Sequence, residues 1–251
     1  MAKQSGLGDN LYIDGYNVSG DIGSIQAIHG GPKPGDVTGI DKSAHERLGL
    51  IRDGGMGYNG FWNDAATPPV GAHFVFSPLT LNDRVVTYCR GTALGGSSAA
   101  MIAKQVDYNP TRAADGMLTF TVSALPNGFG LEWGRQLTAG RRTDGSATNG
   151  ASVDLGTASP GAFGLQAYLH VFAFTGTSVT VKIQSSSDDA VGDPYSDIAG
   201  AAFSAATGIT SQRIATAAID IERYLRVVTV GTFSNAVIAV TAIRNDTAVV
   251  F

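Results

Sequence analysis

Apolar and polar residues alternate with a period of two along most of this 251-residue chain, the pattern of half-buried strands. In NLYIDGYNVSGDIGSIQAI, Leu11 and Ile13 alternate with Tyr12 and Asp14; the chain turns at Asp14-Gly15, then resumes through Val18, Ile22 and Ile25, predicting strand, turn, strand. RVVTYCRG, AAMIAKQVDYN and GMLTFTVSALPNG predict three further strands, the last two separated by a PTRAADG loop. Farther on, GLQAYLHVFAF puts Leu165, Ala167, Leu169, Val171 and Ala173 on one face, and SVTVKIQSS turns Val179, Val181 and Ile183 inward. RYLRVVTVG and NAVIAVTAIRN repeat the pattern, and DTAVVF predicts a closing edge strand. The fold class expected is all-β with one short helix.

That helix is predicted over 41–50. Asp41 is a cap, Ala44, Glu46, Arg47 and Leu48 tolerate helix, and Gly49 is a natural stop. Two turns are marginal in isolation, so packing through Ile40, Ala44 and Leu48 must hold it. After it, RDGG turns the chain and MGYNGFW resumes alternation with Met56, Tyr58 and Trp62 on one face. PPVGAHFVFSPLTLND, from residue 68 to 83, is expected to be loop that orders on assembly.

Composition sharpens the β reading. There are 33 glycines, and only 15% of residues are charged. Small and polar residues over 138–164 mark a break, giving a first β domain at 1–145, a linker at 146–162 and a β-sandwich at 163–251. Residues 1–150 carry 12 basic and 13 acidic side chains and residues 151–251 carry 5 and 8, so neither half is a charged tail. A net charge of −4 gives no electrostatic case for wrapping nucleic acid. No apolar run reaches the ~20 residues that span a bilayer, and MAKQSGLGDN shows no secretory h-region, so synthesis in a cytoplasm and no membrane insertion are expected.

Catalytic patterns are weak. His29, His45, His73 and His170 lie far apart without metal-ligand spacing. Cys89, the single cysteine, sits in an alternating stretch and reads as a buried thiol. Ser97 and Ser98 follow two glycines but lack the G-x-S-x-G context of a nucleophile turn. The aspartates of SSSDDAVGDPYSD do not follow a calcium-loop spacing and read as a solvated hairpin loop. No nucleophile, base and orienting group stand at recognisable spacing, so no enzyme and no cofactor are expected. His170 reads as a surface or half-buried histidine, and Tyr168, Phe172 and Tyr195 read as packed in the sandwich rather than as sugar platforms.

LYIDGYNVSGDIGSI followed by DVTGIDKSAHERLGLIRDGGMGYNGFWN resembles the major tail (tube) proteins of long-tailed bacteriophages. Asp36-Val37-Thr38, a polar helix over 43–48, the turn ending in Arg52-Asp53-Gly54, and Phe61-Trp62-Asn63 carry the likeness, over residues 7–135. Ile51 adds one position before that turn relative to the family pattern. The resemblance implies a tube-like β-barrel or sandwich domain bearing an outer sandwich of immunoglobulin-like or jelly-roll type. It implies homohexameric rings stacked into a virion tail tube, with other tail proteins as partners and double-stranded DNA as passing cargo. Asp36, Thr38, His45, Glu46, Arg47, Arg52, Asp53 and Gly54 are the expected assembly helix and turn. A capsid decoration protein, or a virion protein with a glycan-binding second half, are the alternatives.

Overall fold

A computed structural model describes residues 5–67 and 69–249; Met1–Gln4, Pro68, Val250 and Phe251, which include parts of the expected 68–83 loop and closing strand, lie outside the described residues. The fold is all-β as expected, with fifteen strands among the described residues joined in one antiparallel sheet. The first half contains β1 (Asn10–Ile13), β2 (Tyr16–Asn17), β3 (Ile22–Asp36), β4 (Arg47–Phe61), β5 (Arg84–Cys89), β6 (Ser97–Gln105), β7 (Asn109–Arg112), β8 (Leu118–Pro126) and β9 (Glu132–Gln136). The second contains β10 (Arg142–Asp144), β11 (Thr148–Asp154), β12 (Leu165–Ser186), β13 (Ser196–Ala202), β14 (Thr210–Thr216) and β15 (Tyr224–Arg244).

The Asp14-Gly15 turn forms where the sequence puts it, with φ of 49° and 79° at the two positions, the left-handed pair that a two-residue hairpin between twisted strands requires. The predicted PTRAADG loop is shorter than expected, because β7 extends into it as far as Arg112 and pairs with β8. In the second half, segments that read as strand pairs are single long strands. β12 runs through Gly176 and β15 through Gly231, and register shifts on either side of Gly176 are absorbed as bulges. A Cβ on Gly176 would lie 2.4 Å from Phe233 Cα, so only glycine lets the two strands meet there.

The helix expected at 41–50 is absent. Arg47, Leu48 and Gly49 instead pair with Asp36, Gly35 and Pro34, and 37–46 make the tip of a β3–β4 hairpin. A two-turn helix with no core beneath it loses to a ladder that extends an existing strand. The one helix among the described residues is α1 (Ala72–Phe76), inside the stretch expected to be loop. Ala72, Val75 and Phe76 are buried against Tyr58 and Phe120, so this segment is ordered by the core of the single chain.

The segment expected to be a linker at 146–162 is also corrected. β11 occupies 148–154 and pairs with β15, and Val153 belongs to the second core. Small polar residues read as flexible in sequence, but alternation about Ser152 and Val153 gives them a strand's geometry against β15. DTAVVF forms no strand over its described residues 246–249.

Two cores result. One draws on Leu11, Met56, Tyr58, Phe76, Phe120 and Leu131, and the other on Leu137, Leu169, Val181, Val227 and Val240. β12 is buried on both faces: Leu165, Ala167, Leu169 and Val171 point into the second core as predicted, whereas Tyr168, His170 and Phe172 point at the first half. Tyr168 packs with Val85 and Ala100, and Phe172 with Tyr12 and Cys89. The two halves therefore stand back to back across a buried junction.

Candidate functional site

Two features carry chemistry beyond simple packing: the polar junction between the halves, and the hairpin that leaves the first half. The junction is pinned by the Asp14-Gly15 turn. Asp14 accepts hydrogen bonds from Arg84 Nε at 2.7 Å, from the Val85 amide at 2.9 Å and from the Ser211 hydroxyl at 3.1 Å. The Gly15 amide donates to His170 Nδ1 at 3.1 Å, which leaves the proton on Nε2, 2.9 Å from the Thr87 hydroxyl. His170 is thus fully buried, where the sequence suggested a surface or half-buried histidine, and burial holds its pKa down to about 3. A neutral, doubly bonded imidazole is a structural group, and its role could be read only by knowing that a second sheet lies behind β12.

Other candidates for chemistry are similarly occupied. Cys89 is buried and its thiol is pushed up to about 12 by that burial, far from a reactive thiolate. Ser97 and Ser98 stand in β6, with Ser98 fully buried. In the acidic loop, Asp188 accepts the amides of Val191, Gly192 and Asp193, so its oxygens close the loop on itself. Tyr168 is fully buried, and Tyr195 lies beneath the Arg226 guanidinium at 4.1 Å.

The hairpin is different in kind. β4 pairs with β8 from Met56 to Phe61, and below Met56 its only partner is β3. The nine residues from 47 to 55 therefore form a two-stranded arm about 30 Å long, at about 3.3 Å per residue. The arm is exposed along nearly its whole length and carries Val37, Ile40, Leu48, Leu50 and Ile51 into solvent, Ile51 at 84% exposure. Among the described residues the outer edge of β3 has no partner strand, while Pro32 and Pro34 remove two of its donors along the arm.

All eight residues singled out in the sequence lie on this arm, in two groups. At the tip, the Thr38 amide donates to Asp36 at 3.0 Å, the Glu46 amide donates to the Thr38 hydroxyl at 2.9 Å, and His45 Nδ1 lies 3.0 Å from Asp36. The Thr38 hydroxyl and amide, with His45 adding to them, hold the Asp36 carboxyl below the usual carboxylate range. Arg47 pairs in register with Asp36. At the base, Lys33 and Asp53 lie 3.7 Å apart, the Gly54 amide donates to Asp53, and Arg52 reaches Glu132. Asp36 and Asp53 thus belong to opposite ends of one arm, and the second marks strand rather than turn. A Cβ on Gly54 would meet His29 O at 2.6 Å and Leu131 Cβ at 2.9 Å, so the arm crosses Leu131 through a glycine. Sequence reasoning expected Ile40 and Leu48 to pack beneath a helix, whereas both are exposed together with Val37, Leu50 and Ile51.

No family model matches the chain, and no curated protein matches it. Among solved structures, a chain of the virion of a native gene transfer agent particle is similar over 52% of this chain and 98% of its own, at 16% identity and a TM-score of 0.40. The SPP1 Dit protein, titled a paradigm of the hub adsorption apparatus in phages infecting Gram-positive hosts, is similar over 94% of this chain and 99% of its own, at 9% identity and a TM-score of 0.35. A chain of the phage p2 baseplate in its activated conformation is similar over 95% and 99%, at 10% identity and a TM-score of 0.31. Every one of these TM-scores lies below 0.5, so the case for function stands on the chain's own residues.

Proposed function

We propose that the chain is a structural subunit of a phage tail, a tube protein that closes into sixfold rings and stacks them into a channel. The observation that carries this reading is the arm. A two-stranded ribbon is marginal by itself, and this one spreads five large apolar side chains through solvent in the free subunit. Seated on a neighbouring copy, a fully exposed side chain of this kind gains about 1.5–3 kcal/mol on full burial, and Val37, Leu48 and Leu50, only about half exposed, gain proportionately less. Contact between unlike surfaces, arm on body, repeats around a ring and closes it. The resemblance of the 36–63 stretch to tail-tube proteins supplies the ring order, and the acidic net charge suits a lumen through which DNA passes without being held. A structural role without catalysis follows from the same reading, as does residence in the virion tail with other tail proteins as partners.

Replacing Leu50 and Ile51 with Asp tests the arm without disturbing the fold, since both side chains are exposed. The double variant is expected to raise the concentration needed for assembly roughly 100-fold or more, measured by sedimentation velocity, with an unchanged urea midpoint. Assembly at the wild-type concentration would remove the arm from the interface. Gly54 is a poorer test site, because any side chain there strains the arm itself.

A further inference from the structure

We infer that Glu132 couples the setting of the arm to the second half of the chain. Its side chain is 1% exposed and receives groups from three separate parts of the fold. Arg213 on β14 places Nη2 3.2 Å from Oε1, and the Tyr168 hydroxyl on β12 donates to Oε2. Arg52 at the base of the arm reaches the same Oε1 from 3.9 Å. Arg213 is itself fixed, stacked 3.7 Å over the Phe129 ring and donating through Nε to the Tyr168 oxygen at 3.1 Å. One carboxylate is therefore shared between a rigid pair from the second half and a looser guanidinium from the arm.

The geometry makes the coupling directional. Arg213 and Tyr168 are held by packing, whereas the Arg52 side chain is 42% exposed and makes the longest of the three contacts. Arg52 crosses Gly130 closely enough that a Cβ there would lie 3.0 Å from its own. An open cleft of about 680 Å³ lies beside it, bounded by Leu50 and Ile51 of the arm, Phe129, Arg213 and Val249, and gives the arm space to move when the contact is lost. Anything that turns Glu132 toward Arg213 releases the arm base, although it touches only the second half. This holds for the isolated chain and does not depend on its building a tube.

Hydrogen exchange of the full chain, read by mass spectrometry, tests the coupling. Tyr168→Phe removes one hydroxyl in the second half; without it the carboxylate settles on Arg213, and amides over 50–55 are expected to exchange roughly fivefold faster or more. Glu132→Gln and Arg52→Met are expected to do the same, with amides of β12 unchanged in Arg52→Met. Unchanged or slower exchange at 50–55 in Tyr168→Phe overturns the inference. So does an equal acceleration throughout both halves in Glu132→Gln, which would mark general destabilisation instead of coupling.

Discussion

A fragment spanning 163–251 is expected to show no cooperative urea transition, whereas one starting at residue 137 regains a transition at lower urea than the full chain. The short fragment lacks Leu137 and Val153 from the second core and leaves β15 without β10 and β11. Two buried apolar side chains at about 1.5–3 kcal/mol each, plus two lost strand partners, match a large part of the ~5–15 kcal/mol that stabilises a domain. Starting at residue 137 restores those elements but still bares Tyr168, His170 and Phe172, which the first half covers. Cooperative unfolding of 163–251 at the midpoint of the whole chain would show that the 138–164 stretch is a linker after all.

The second large effect is on acid stability. His170 is neutral in the folded chain with a pKa of about 3, against ~6.5 when unfolded, so the unfolded chain binds the extra proton as pH falls. Its contribution is fully present above about pH 6.5 and is lost progressively as pH drops toward 3, at about 1.4 kcal/mol per pH unit. Carboxylates with lowered values, such as Asp154 held at about 2 by Arg223, respond below about pH 4.5 and leave the window from 5 to 6.5 to histidine. Unfolding free energy measured by urea titration is expected to fall steeply across that window in the wild type. His170→Gln, which keeps an acceptor and a donor but cannot titrate, is expected to flatten the slope. The same slope in both proteins would place the acid sensitivity elsewhere.

The sequence made the strands legible because each alternates over a buried face: Leu11 and Ile13, Val179 to Ile183, and Leu165 to Val171 all point where the period of two puts them. It misplaced what depends on partners. Asp41 to Leu48 has helix-tolerant residues and a cap, but nothing packs on that face, so the β3 ladder takes Leu48. Ala72 to Phe76 has no periodicity long enough to announce a helix, yet three of its five residues are buried. GLQAYLHVFAF and SVTVKIQSS looked like two strands because a break at a glycine marks both turns and bulges. His170 looked at most half-buried since one strand's pattern cannot show a second sheet behind it. The eight candidate residues, expected on a helix and a turn, lie on one exposed hairpin arm.

Negative-stain electron microscopy of the purified full chain across a concentration series tests the central claim most directly. The arm is expected to drive sixfold rings that stack into hollow tubes as concentration rises. A chain that stays monomeric at the highest concentration, with its arm and its other tail partners present, would contradict it.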